Sequence, residues 1–244
     1  MEWESPAVVL AARPWGSGDA VVSLLTSEQG LWRGLVKGGA GRARAATWQQ
    51  GNLVTAHWTA RLADQLGNLA GELVHHAAAP VMDDPLAIEI LASACAVTEA
   101  ALAEREPEAT LFGGLARLMV ELPAGAPVLA GLVRFELTLL TRLGFGLDLS
   151  ACVLSGSNSG LAYVSPRSGR AVTAAAAGDW ADRLLVLPPF VLDESEGDPP
   201  GWRDGLRLSG HFLARDLFGQ TNRGLPPARE RLLRRVEAMV APEG

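Results

Sequence analysis

Leu31-Trp32-Arg33-Gly34-Leu35-Val36-Lys37, followed at once by Gly38-Gly39-Ala40-Gly41, decides how the first part of the chain reads. Successive side chains of a strand point to opposite faces, so Arg33 and Lys37 share one face while Trp32, Gly34 and Val36 share the other. The second face suits a core, the first suits solvent or an anion, and the glycines end the strand. The same texture recurs outward. Ala7 to Ala11 is a short apolar run broken by Pro14, Gly16 and Gly18, and Asp19 to Thr26 is β-branched and apolar. Gly30 marks a turn, and Leu53–Arg61 with Leu66–Val74 form a hairpin around Ala63-Asp64-Gln65. About five short strands separated by glycine-rich turns predict a small barrel or sandwich over residues 1–78.

From Pro80 the period changes. Asp84 is placed as an N-cap with Pro85 at the first helical position, and Ala87, Ile90, Leu91, Ala94, Val97 and Ala101 follow at helical spacing. Leu111, Phe112, Leu115, Leu118, Met119 and Leu122 repeat the pattern up to Pro123. A third helix opens at Pro127 and closes at Gly144, and residues 203–218 and 227–240 carry two more. Residues 148–200 read as irregular. The expected architecture is α+β, with a β-rich domain over 1–78 and a mostly helical domain over 79–244.

The chain is acidic overall, with net charge −6, but the charge is unevenly placed. No Asp or Glu occurs from Gln29 to Ala63, a stretch that holds Arg33, Lys37, Arg42, Arg44 and Arg61. A cationic strand face extended by a basic loop is how oligonucleotide-binding barrels track a phosphate backbone, and the plain alternative is a solvated strand face. The small side chains of Gly38–Gly41 would let backbone amides approach a phosphate. Tryptophan in a small barrel is more often core, and of Trp32, Trp48 and Trp58, Trp48 beside the basic loop is the candidate for base stacking. Residues 83–108 carry the acid, whereas Arg203, Arg207, Arg215, Arg223, Arg229, Arg231, Arg234 and Arg235 outnumber Asp204, Asp216 and Glu230. Those arginines read as solvated helix faces or as a docking patch for an acidic peptide or DNA.

No residue set nominates catalysis. The centre of Gly156-Ser157-Asn158-Ser159-Gly160 is Asn158, not the serine of a nucleophile elbow, and Lys37 precedes its glycines instead of following them as in a phosphate-binding loop. His57, His75, His76 and His211 form no helical metal pair, although His57 could face the basic side. Asp19, Glu28 and Asp64, the acids flanking the basic stretch, are scattered, which disfavours a nuclease. No cofactor is expected. Cys95 and Cys152 form no Cys-x-x-Cys pair, so a disulfide framework is not expected. The acidic start Met1-Glu2-Trp3-Glu4 does not match a signal peptide, and no apolar run approaches the roughly 20 residues that span a bilayer. A cytoplasmic protein is the expectation.

Several segments, in order, resemble the RecO family: Val8-Val9-Leu10; Gly18-Asp19-Ala20-Val21-Val22; Leu25-Thr26-Ser27-Glu28-Gln29-Gly30 with Leu31 to Gly39; Phe135 to Leu140 leading to Leu143-Gly144-Phe145-Gly146-Leu147-Asp148-Leu149 and Cys152; and Leu161 to Pro166 with Ser168-Gly169-Arg170. The resemblance implies a five-stranded OB-fold barrel, then a helical domain with a finger-like insertion at 148–175. It also implies a nucleoid-associated DNA recombination and repair mediator that binds single- and double-stranded DNA and anneals complementary strands. With RecR such proteins help load RecA onto DNA coated by single-strand-binding protein, whose acidic C-terminal tail they contact. Arg215, Arg223 and Arg235 are candidates for a cationic rim around such a tail. Zinc-bearing members have two Cys-x-x-Cys pairs in the finger; here Cys152 is followed three residues on by Ser155, so a zinc-less finger is expected. The alternative is a protein-interaction scaffold that does not touch DNA.

Overall fold

The structure is a computed structural model that describes residues 1–62, 65–221 and 223–241, without the side chains of residues 42, 43 and 221. The expected turn residues Ala63 and Asp64, and the side chain of Arg42, lie outside the described residues.

Strand β1 (Glu2–Trp15) serves two neighbours. Its first part pairs antiparallel with β4 (Leu53–Thr59) and its second with β2 (Asp19–Thr26). A register shift between Val9 and Ala11 marks the crossover, an irregularity of the kind that turns a strand around a barrel corner. β1 therefore runs through the break expected at Pro14 and ends one residue later, at Trp15. Beyond Val8 it has β2 as its sole paired strand, so a proline there leaves the barrel's ladder largely intact. β2 pairs with β3 (Gly30–Val36), β4 pairs with β5 (Asn68–His75), and a parallel contact between Leu35 and Asn68 joins β3 to β5. The order β1-β2-β3-β5-β4 closes into a five-stranded barrel, the architecture of an OB-fold. A short helix, α1 (Arg42–Ala45), bridges β3 and β4.

Alternation decides the interior. Val9, Val22, Leu24, Val36, Val54, Ala56, Trp58 and Leu69 form one buried cluster. Trp3, Trp32 and Trp58 meet with ring centroids 5.1 to 6.0 Å apart. The Trp58 indole donates to the Leu66 carbonyl at 2.9 Å. Gly67, at φ +66°, is where only glycine fits: a β-carbon there would stand 2.4 Å from the Trp58 ring nitrogen.

Helix α2 (Pro85–Ala101) starts as the sequence indicates, with the Asp84 carboxylate accepting from the amides of Leu86 at 2.9 Å and Ala87 at 3.2 Å. With α3 (Ala109–Glu121) it belongs to the same compact unit as the barrel, Met1–Gly125.

The second unit, Ala126–Gly244, begins with α4 (Val128–Arg142). The stretch read as irregular holds a small sheet of β6 (Leu161–Val164), β7 (Ala171–Thr173) and β8 (Leu185–Val186), ordered β7-β6-β8, with the short helices α5 (Ala174–Ala177) and α6 (Phe190–Asp193). Its strands are too short to show periodicity. Cys152 is buried in this finger, where the Thr173 amide donates to its sulfur at 3.3 Å. Helix α7 (Pro199–Phe212) is capped by Asp198 and runs into a π-helical turn, Leu213–Phe218, before α8 (Pro227–Val240).

Arg229, read with the solvated C-terminal arginines, is instead fully buried. Its Nε donates to Glu136 Oε1 at 2.6 Å, and its Nη2 to Glu136 Oε2 at 3.0 Å and the Leu206 carbonyl at 2.7 Å. The Ser209 hydroxyl donates to Glu136 Oε2 at 2.5 Å. Among the described residues no helix is long and apolar enough to cross a membrane.

Candidate nucleic-acid interface

The outward positions of β3 are Arg33 and Leu35, with Lys37 just past its end. Leu35 lies opposite Asn68 on β5, Asn68 opposite Thr59 on β4, and Thr59 opposite Glu2 on β1. The next outward row reads Ala70, His57 and Glu4, and extending the β3–β5 register by two residues brings Lys37 level with it. A groove of about 300 Å³ opens on this face, lined by Leu35, Lys37, Arg44, His57, Thr59, Asn68, Leu69 and Ala70. Arg44 reaches it from α1, where its Nη1 donates to the Lys37 carbonyl. The face is polarised, with cations at its β3 and α1 edge and the carboxylates Glu2 and Glu4 at its β1 edge.

The Gly38–Gly41 loop does not offer its amides to an anion. Gly38 N–H donates to Asp19 Oδ1 at 2.8 Å, Gly39 N–H to Val36 O at 3.1 Å, Ala40 N–H to Gly18 O at 3.0 Å and Gly41 N–H to Gly38 O at 3.1 Å. The glycines serve packing, since a β-carbon on Gly39 would stand 2.9 Å from Val36. The same bonds dock the β1–β2 turn against the loop. Trp15, 61% exposed where β1 meets that turn, therefore stands at the same end of the barrel as Lys37 and Arg44.

The residues singled out from sequence separate into groups. Lys37 and Arg44 converge on the groove and form no ion pair among the described residues. Arg61 is exposed in the β4–β5 connection and likewise has no ion pair among the described residues. Arg33 is drawn away, because it pairs with Glu104 and donates to Ser23 Oγ at 3.3 Å. Arg13 makes a two-pronged contact with Glu99, both bonds 2.7 Å. Burial pushes the Glu99 carboxyl up, but the Arg13 bonds, the Ser23 bond and the Arg33 charge outweigh it and hold the group below its ordinary range. The acid-free stretch is thus acid-free along the chain and not in space. Trp48, the stacking candidate, is 3% exposed and packs beneath Gly71, so it presents no face to a base. Within the barrel unit, Trp15 is an exposed aromatic that sequence reasoning passed over; its signal was a tryptophan between Pro14 and Gly16, at a turn with no core to enter.

In the second unit, Arg215 is committed to Asp216 through two 2.6 Å bonds and to the carbonyls of Pro166 and Arg167. Arg223 and Arg235 are exposed. None of the three lines the groove of about 310 Å³ in this unit, which Arg134, Leu137, Thr138, Thr141, Leu147, Leu149 and Val191 form. Arg134 is fixed at the groove by donating from Nη1 to the carbonyls of Phe190 at 2.9 Å and Ser195 at 3.1 Å. Among the described residues no group of three or more His, Cys, Asp or Glu is placed to hold a metal ion.

Comparison with known proteins gives two adjoining family matches. Residues 1–77 match the model described as recombination protein O N terminal, and residues 82–224 match recombination protein O C terminal. Among curated proteins, the chain is 56% identical over 245 residues to DNA repair protein RecO of Gluconacetobacter diazotrophicus, covering 98% of this chain and 96% of that one. It is 52% identical over 246 residues to DNA repair protein RecO of Granulibacter bethesdensis, covering 100% and 98%. It is 45% identical over 243 residues to DNA repair protein RecO of Rhodospirillum rubrum, covering 97% and 96%.

Proposed function

The chain belongs to the RecO family of DNA repair proteins, and on that premise we propose that it is a non-catalytic DNA-binding mediator whose barrel holds the phosphate backbone at Lys37 and Arg44. The observation that carries this reading is the convergence of those two cations on one groove, away from the acids that neutralise Arg13 and Arg33. Arg61 adds charge from the β4–β5 connection and Trp15 a stacking surface from the β1–β2 turn, the two loops that flank the binding face of OB-folds. Phosphate contacts of this kind do not read sequence, and neutralising one strand lowers its repulsion of a second, which is what annealing needs. The protein works in the cytoplasm at the nucleoid, on single- and double-stranded DNA. With RecR it helps RecA replace single-strand-binding protein.

The test is a fluorescence anisotropy titration of a labelled single strand at several salt concentrations. Saturable binding that weakens with salt is expected, and Trp15→Ala should lower affinity by about 5- to 150-fold, the loss of one stacked base. Absence of binding even at low salt would leave a protein-interaction scaffold as the better reading.

For the acidic, apolar-ended tail of single-strand-binding protein, the groove at Arg134 is a better seat than the Arg215, Arg223 and Arg235 rim. It combines one fixed cation with Leu137, Leu147, Leu149 and Val191. Arg134→Glu should weaken binding of a labelled tail peptide at least tenfold. An unchanged dissociation constant would return the search to the exposed arginines.

A further inference from the structure

From the polarity of the barrel groove we infer that it seats one unpaired nucleotide, with phosphate at the β3 and α1 edge and base over β5 and β4, so that the barrel favours single strands over duplex. This rests on the DNA-binding reading of the same groove and adds what the groove recognises. Lys37 and Arg44 stand at one side, and beyond them the lining holds no Lys, Arg, Asp or Glu: Leu35, Leu69 and Ala70 are apolar, Asn68 and Thr59 each carry both a donor and an acceptor, and His57 adds an imidazole. Farther on, Glu2 and Glu4 close the β1 edge with negative charge. A polyanion is repelled from that edge, so its backbone follows the cationic edge and its bases extend across the neutral rows.

The dimensions suit this arrangement. From β3 across β5 to β4 is two inter-strand spacings, about 10 Å. A volume of about 300 Å³ is at the small end of ligand sites. Paired bases are stacked inside a duplex and cannot enter such a groove, so duplex DNA reaches only the cations. Asn68 and Thr59 can each donate or accept, so the groove admits any base and discriminates by pairing state. The lining holds no Phe, Tyr or Trp and its one ring is the His57 imidazole, opposite Ala70, so apolar contact and hydrogen bonds hold the base beside that single small ring.

The experiment compares single-stranded and duplex forms of one oligonucleotide in anisotropy titrations of the full chain at fixed salt. Ala70→Leu fills the groove at an exposed position without adding a ring, and Asn68→Val removes its amide. Each should lower single-strand affinity about two- to tenfold, the loss of one hydrogen bond or apolar contact to a base, and change duplex affinity less than twofold. Thermal unfolding of both variants confirms that the barrel is intact. Equal losses for both DNA forms, or no loss for either, would overturn the nucleotide seat while leaving phosphate binding standing. If Lys37→Glu/Arg44→Glu also left both affinities unchanged, the DNA-binding reading of this groove itself would fall.

Discussion

Reversing Lys37 and Arg44 together is expected to weaken single-strand binding by more than tenfold near 0.1 M salt, while reversing Arg33 alone changes it less than twofold. Each phosphate contact contributes roughly 0.7 to the logarithmic salt slope of single-strand binding, so losing two flattens it by about 1.4 units. Relative to 1 M salt, where the counterion contribution vanishes, that slope is worth about 25-fold at 0.1 M, and the two new carboxylates add repulsion. Arg33 differs because Glu104 already compensates it, both side chains being about two-fifths exposed. Exposed pairs of this kind are worth roughly 0 to 1 kcal/mol, so Arg33→Glu is mild for stability as well. Arg44→Glu also removes the bond to the Lys37 carbonyl, a loss of about 1 kcal/mol that a melting curve would register. Equal losses for Arg33→Glu and the double variant would show that the long-range field of the whole basic stretch, and not the groove, binds DNA.

How much of this was legible in the sequence follows from which interactions are local. The inward set on β3 follows from alternation, and the Asp84 cap lies two and three residues from the amides it accepts. Both could be read from the chain alone. The acid-free stretch could also be read, but the pairing of its Arg33 could not, because Glu104 reaches it across 71 positions. The Gly38–Gly41 loop misled for the same reason: small residues signal close approach, but what approaches is Asp19 and Gly18 from another turn. Trp48 lies beside the basic residues in sequence and beneath Gly71 in space. The groove itself needs β5 beside β3, a parallel contact that no local pattern announces.

The C-terminal unit should show its largest stability loss at a residue that looked like surface. Arg229 and Glu136 have no solvent exposure, so each charge depends on the other and on Ser209 and the Leu206 carbonyl. Removing one partner strands the other in a medium that solvates charge poorly, which typically costs about 3 to 5 kcal/mol. Arg229→Met is expected to reach that range, because it leaves the Glu136 carboxylate with the Ser209 hydroxyl alone from this network. Glu136→Gln keeps the shape of the acid but leaves the guanidinium without a counter-charge, and should cost nearly as much. At several degrees per kcal/mol for a unit of this size, the melting temperature should fall by roughly 10 to 20 °C. The double variant Arg229→Met with Glu136→Leu separates charge from packing. With no charge left to desolvate it should recover most of the loss, because apolar replacements of a buried pair are often neutral or stabilising. Single variants that unfold within 1 kcal/mol of the parent would mean that water reaches the pair. A double variant no more stable than the singles would mean that the pair's geometry, and not its charge compensation, holds α4, α7 and α8 together.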